Sequence, residues 1–96
     1  MSYPAQVTRD YGINSAAAVW REVEGEIVVL AHDGRQYLAV NGSGTVLWRL
    51  LAEGSTREGL VAALVAEYGA EVADPAEDVD AFLGALRVRE LLTESD

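Results

Sequence analysis

The spacing of hydrophobic and polar positions changes once along the chain. From Ala18 to Asn41 the pattern favours strands. "AVWREV" (Ala18 to Val23) ends at Glu24-Gly25, and "EIVVLA" (Glu26 to Ala31) is the most apolar run. "RQYLAVN" (Arg35 to Asn41) follows an Asp33-Gly34 pair. Asp-Gly between apolar runs is a strong hairpin signal. Consecutive hairpins predict an antiparallel meander with the second strand in the centre and the first and third as edges. In the third strand the period of two separates Leu38 and Val40 from Tyr37 and Ala39. Leu38 and Val40 are expected to face the core.

Beyond Asn41 the period becomes helical. Asn41 is placed to cap a first helix running to about Ala52, with Leu47, Leu50 and Leu51 turned inward and Gly54 past its end. "STRE" (Ser55 to Glu58) fits a capping box. The second helix then carries Leu60, Ala63 and Leu64 and stops at Gly69. Asp74-Pro75 supplies a cap and a first-turn proline for a third helix, with Glu77 at its third position. Val79, Phe82, Leu83 and Leu86 form its apolar stripe, and Leu91 and Leu92 close the core. The order predicts an α+β domain, a three-stranded antiparallel sheet followed by three helices on one of its faces. Residues 1–17 show no period and contain Pro4 and Gly12. They are expected to form a flexible N-terminal arm, leaving 18–93 as the folded domain.

Composition removes most enzyme classes. The 96 residues suit one domain. No cysteine is present, and His32 is the single histidine. A disulfide framework, a thiolate metal site, a cysteine nucleophile and a histidine metal cluster are therefore excluded. No apolar run approaches the roughly 20 residues that span a bilayer. The start lacks the basic and apolar blocks of a signal peptide, so the expected compartment is the cytoplasm.

The stretch Asn41-Gly42-Ser43-Gly44 raises the question of a phosphate-binding loop. A P-loop needs Gly-x-x-x-x-Gly-Lys-Ser/Thr, and the chain has no lysine. A dinucleotide fingerprint needs a strand that returns after the helix, and none follows. The stretch is read as a strand-to-helix junction whose small residues let the first helix sit close to the sheet. His32, beside Asp33, is read as a surface residue of the hairpin turn. Ser43 and Ser55 look like caps or junction residues. The acids Glu67, Glu71, Asp74, Glu77, Asp78 and Asp80 lack the spacing of a calcium loop. Some favour the helix N-terminus, and the rest form a solvated face or a steering surface. Trp20 and Trp48 are expected in packing. No catalytic constellation, cofactor site or metal site emerges.

Charge then narrows the partners. Sixteen acids face seven bases, a net charge of −9. Such a surface repels phosphates, so nucleic acid is not an expected partner, and a basic or neutral one is.

The segments "YLAVNGSGTVLWRLL", "STREGLVAALVAEYG" and "DVDAFLGALRVRELL" resemble the PqqD-like family. The matching features are Tyr37, Asn41 and Gly44 around the strand-helix junction, the Leu47-Trp48 pair, Tyr68-Gly69, Asp78-Val79, Leu83 and Leu91-Leu92. The resemblance spans roughly residues 18–93 and is a diffuse pattern. One departure is Val88-Arg89-Glu90, where a glycine often precedes the apolar pair; it bears on the geometry of the last turn. The resemblance implies a winged-helix-like fold and a non-catalytic role. Such domains bind the leader of a ribosomally made precursor peptide and present it to modifying enzymes. Within the family the chain is most similar to stand-alone leader-binding proteins of lasso peptide biosynthesis, whose partners are a leader peptidase and a macrolactam-forming cyclase. It also implies that the leader adds as a strand beside the third strand and packs against the third helix.

The residues themselves fit that mode. An edge strand offers unpaired N–H and C=O groups, and strand addition uses them for affinity and side-chain pockets for specificity. The expected peptide-binding residues are Arg35, Gln36, Tyr37, Leu38, Ala39 and Val40 on the strand. On the third helix they are Asp78, Phe82, Ala85 and Arg89, one row at about 100° per residue. Phe82 is either part of the groove or plain core, since apolar stripes usually mean core. Two other readings use the same elements: a winged-helix DNA-binding regulator, disfavoured because a recognition helix should be basic and the third begins with an acidic cluster, and a small structural subunit of an acidic multienzyme complex with no peptide ligand.

Overall fold

A computed structural model of the chain describes residues 10–32, 34 and 37–95. Its elements run β1 (Asp10–Ile13), β2 (Ala18–Val23), β3 (Glu26–Ala31), β4 (Tyr37–Val40), α1 (Ser43–Glu53), β5 (Ser55–Thr56), α2 (Arg57–Tyr68), α3 (Pro75–Val88) and β6 (Leu92–Ser95). A short 3-10 turn, Gly69–Glu71, links α2 to α3.

The meander is a three-stranded antiparallel sheet in the order β2-β3-β4. Its first hairpin turns at Glu24 and Gly25, both with positive φ (52° and 85°). Left-handed backbone at both central residues matches the right-handed twist of the flanking strands. The register pairs Trp20 with Val29 and Val29 with Leu38. One face of this sheet supplies Ala18, Ile27, Val29 and Val40 to the core. The three helices contribute Leu47, Trp48 and Leu51, then Leu60 and Leu64, then Val79, Leu83 and Leu86. Trp48 is fully buried and meets the edge of Trp20 at 5.7 Å between ring centroids, a T-shaped pair favoured by the ring quadrupoles.

Two expected caps form differently. The α1 N-cap is Gly42 at φ 60°, not Asn41. The Asn41 amide instead donates to a Glu26 carboxylate oxygen at 3.3 Å. The strand leaves β4 in a conformation that glycine adopts freely, so no side-chain cap is made at this end. Buried Thr45 ties the junction down, its hydroxyl lying 3.2 Å from the carbonyl oxygens of Gly25 and Val40. A Cβ on Gly44 would come within 2.7 Å of a Val40 methyl and 3.3 Å of the Phe82 ring. The small residue is what lets α1 lie against the sheet. At α2 the cap is Thr56, which accepts from the Gly59 N–H at 3.0 Å, rather than Ser55. At α3 Asp74 accepts from the Glu77 N–H at 3.1 Å, with Pro75 in the first turn.

The largest departure lies before Ala18. Asp10–Ile13, read from sequence as part of the arm, is a strand in a second sheet of order β5-β1-β6. Four residues are too few to show a period. They form a strand because the end of the chain returns beside them, pairing Gly12 with Thr93 and Ile13 with Leu92. Residues 1–9 lie outside the described residues. Asn14 fastens the following turn: its N–H donates to the Leu91 carbonyl at 2.8 Å and its side-chain amide to the Glu90 carbonyl at 3.0 Å.

Candidate functional site

β4 is an edge of its sheet among the described residues, so one row of its backbone groups faces away from any strand. Val40 is buried, Leu38 packs partly buried against the core, and Tyr37 and Ala39 lie exposed on the other face. Arg35 and Gln36 lie outside the described residues. The four described strand positions thus divide between two faces, as the period of two requires.

Next to this edge is a small recess of about 40 Å³. Its walls are apolar: Val29, Ala31 and Leu38 from the sheet, Ala17 from the segment before β2, and Leu91 from beyond α3. Arg89 and the 71% exposed Tyr37 complete the lining. Arg89 is exposed at the C-terminal end of α3. The last turn that places it is a Schellman motif, in which the Leu91 N–H donates to the Leu86 carbonyl at 2.9 Å and the Glu90 N–H to Arg87 at 3.0 Å. Glu90 takes the left-handed position at φ 62°. The sequence departure at Val88-Arg89-Glu90 is thus accommodated without glycine, at the cost of a strained residue.

The four residues expected along α3 do not share one cavity. Arg89 lines the recess at the start of β4. Phe82 is partly buried, packed on the core beside Gly44 at the far end of the strand. Ala85 is exposed between them, four residues before Arg89 and three after Phe82, hence on the same side of the helix. Asp78 lines a separate open cleft of about 420 Å³ with Ser43, Tyr68, Glu71 and Glu77. The edge of β4 therefore runs between an acidic cleft and an arginine. Ala17 and Leu91 were not among the expected site residues. Leu91 was legible only as core, and Ala17 is placed at the recess by its carbonyl, which accepts from the His32 N–H at 3.0 Å beside the end of β3.

The opposite face of the meander is unusually apolar. Val19, Val23, Leu30 and Tyr37 are 44 to 71% exposed there, together with exposed Ala39 and Arg21. An open depression of about 340 Å³ on the sheet is lined by Val19, Trp20, Arg21, Val28 and Leu30. Contiguous apolar surface of this kind marks interaction sites in soluble proteins.

Among the described residues no group of three or more His, Asp or Glu side chains is arranged to hold a metal ion, and no helix is long and apolar enough to cross a membrane. The resolved electrostatic shifts lie elsewhere. The Arg57 guanidinium donates to Asp80 at 2.7 and 2.9 Å, and this hydrogen bonding holds the Asp80 carboxyl below its ordinary range. Arg49 does the same for Glu22.

The family model described as coenzyme PQQ synthesis protein D (PqqD) matches residues 26–92. The solved structure of TbiB1 in complex with the TbiA(beta) leader peptide is similar at a TM-score of 0.74 and 34% identity, over 84% of this chain and 93% of that one. No curated protein matches the chain.

Proposed function

The chain belongs to the PqqD family, and from that premise we propose that it is a non-catalytic recognition protein for the leader of a ribosomally made precursor peptide. The leader adds as a strand to the open edge of β4, along α3, and is presented to a leader peptidase and a macrolactam-forming cyclase, as in lasso peptide biosynthesis. The observation that carries this reading is the likeness, at 34% identity, to a protein solved with a leader peptide bound. The open edge of β4 with an apolar recess beside it supports the mode of binding.

The energetics suit reversible capture. Two buried leader side chains contribute about 3–6 kcal/mol, and strand hydrogen bonds add roughly 0.5–1.5 kcal/mol each. Ordering the peptide costs several kcal/mol. A net of about −8 kcal/mol is micromolar. The apolar outer face of the sheet is the surface suited to the peptidase. A leader strand beside β4 would extend that face, because its alternate side chains point outward.

Ala85→Arg tests the location. The site is exposed, so the substitution leaves the core intact while placing a long cation beside the groove. It should weaken binding of the leader encoded beside the gene by at least about tenfold, or 1.4 kcal/mol, with an unchanged circular dichroism spectrum. Arg21→Ala, exposed on β2, should leave affinity nearly unchanged. Normal binding by Ala85→Arg together with loss in a folded Arg21→Ala would put the peptide on the β2 edge instead.

A further inference from the structure

We propose that Arg89 is a specificity residue that selects an acidic side chain two residues from an apolar anchor in the bound peptide. The inference rests on the leader-binding reading and adds the chemistry of the ligand. Three of the described arginines are neutralised within the fold: Arg49 by Glu22, Arg57 by Asp80 and Arg87 by Glu94. Among the described residues, neither Arg89 nor Arg21 has a carboxylate within 4.0 Å. Of the two described arginines left over, Arg21 lies on the outer face of the sheet and Arg89 is the one lining an apolar recess at the edge of β4.

The recess sets what can enter. At about 40 Å³ it admits only a few carbon atoms, the tip of a Leu, Ile or Val side chain. Its walls, Ala17, Val29, Ala31, Leu38 and Leu91, offer that tip no polar side-chain group. In an extended peptide beside β4, residues two apart point to the same side and lie about 7 Å from each other. An anchor seated in the recess therefore carries its second neighbour past the opening, within reach of a long guanidinium. A carboxylate there completes the charge pairing that the folded chain leaves open, and a guanidinium binds carboxylates through paired hydrogen bonds. A lysine or arginine at that position meets like charge.

The test is selection of a displayed library of random 12-residue peptides on wild-type protein and on Arg89→Glu. Wild-type binders should share an aliphatic residue with Asp or Glu two positions away. Binders to Arg89→Glu should carry Lys or Arg there. Changing that acid to Gln in the best wild-type binder should lower its affinity about fivefold. The same change should have no effect against Arg89→Gln, a variant that keeps the turn without the charge. Binders that share an apolar anchor but show no charge preference, or the same preference on both proteins, overturn the role of Arg89 and leave the leader-binding reading standing. Binders indifferent to Ala85→Arg, or no enrichment at all, overturn the site reading and this inference with it.

Discussion

At the scale of single residues, the turn that positions Arg89 is closed by a residue poorly suited to it. Glu90 sits at φ 62°, where a Cβ crowds the backbone and glycine does not. Its side chain is exposed and the flanking Leu86 and Leu91 are buried, so the strain is held by the apolar contact across the motif. Glu90→Gly should raise stability by about 0.5–1 kcal/mol, read as a higher denaturant midpoint with an unchanged slope. A lower midpoint would show that the side chain contributes more than its backbone strain costs. Resemblance pointed to this position, because a glycine was expected there. It could not reveal that a Schellman turn forms without one.

Among elements, the three helices are joined mainly by buried apolar side chains, with Arg57–Asp80 bridging α2 and α3 at the surface. Asp80 is held below the ordinary carboxylate value by the hydrogen bonds from Arg57. A carboxyl with a depressed folded pKa stabilises above its unfolded value, near pH 4, and that contribution is lost as pH falls through the folded value. The melting-temperature difference between wild type and Asp80→Asn should therefore be largest above about pH 5 and shrink towards pH 2. A difference that stays constant across this range would assign the effect to packing. Both partners are solvent-exposed, so added salt should reduce the difference as well. The boundaries of β2, β3, α2 and α3 were legible because each begins or ends at a turn or cap with local chemistry. β1 and β6 carry no such signal. They are four residues each and pair with one another across most of the chain.

For the whole molecule, the net charge of −9 acts on encounter rather than on the contact itself. Association with a leader that carries basic residues should slow as salt rises from about 50 to 500 mM, as long-range attraction is screened. Stopped-flow fluorescence of the exposed Trp20 would follow it. A rate that is flat or rises with salt excludes steering, and affinity would then rest on the apolar anchor and the strand. The proposed function uses two separate surfaces, the edge of β4 for a peptide and the apolar outer face of the sheet for a protein. A protein that presents a substrate needs both to be open at once.

The sequence by itself determined the order of the three meander strands and the three helices, the α+β class, and the strand-helix junction at Asn41 to Gly44. These follow from periodicity, caps and residue inventory, which act over a few neighbouring positions. Tertiary structure alone decided that Asp10–Ile13 is a strand, that Ala17 and Leu91 wall the recess, and that Arg89 rather than Asp78 stands at it. Those outcomes depend on pairing between the two ends of the chain, on the hydrogen bond that holds Ala17 beside the end of β3 and on where α3 ends in space. No local pattern encodes a contact across some eighty residues, such as that between Gly12 and Thr93; closing so long a loop costs entropy that contacts elsewhere in the fold must offset.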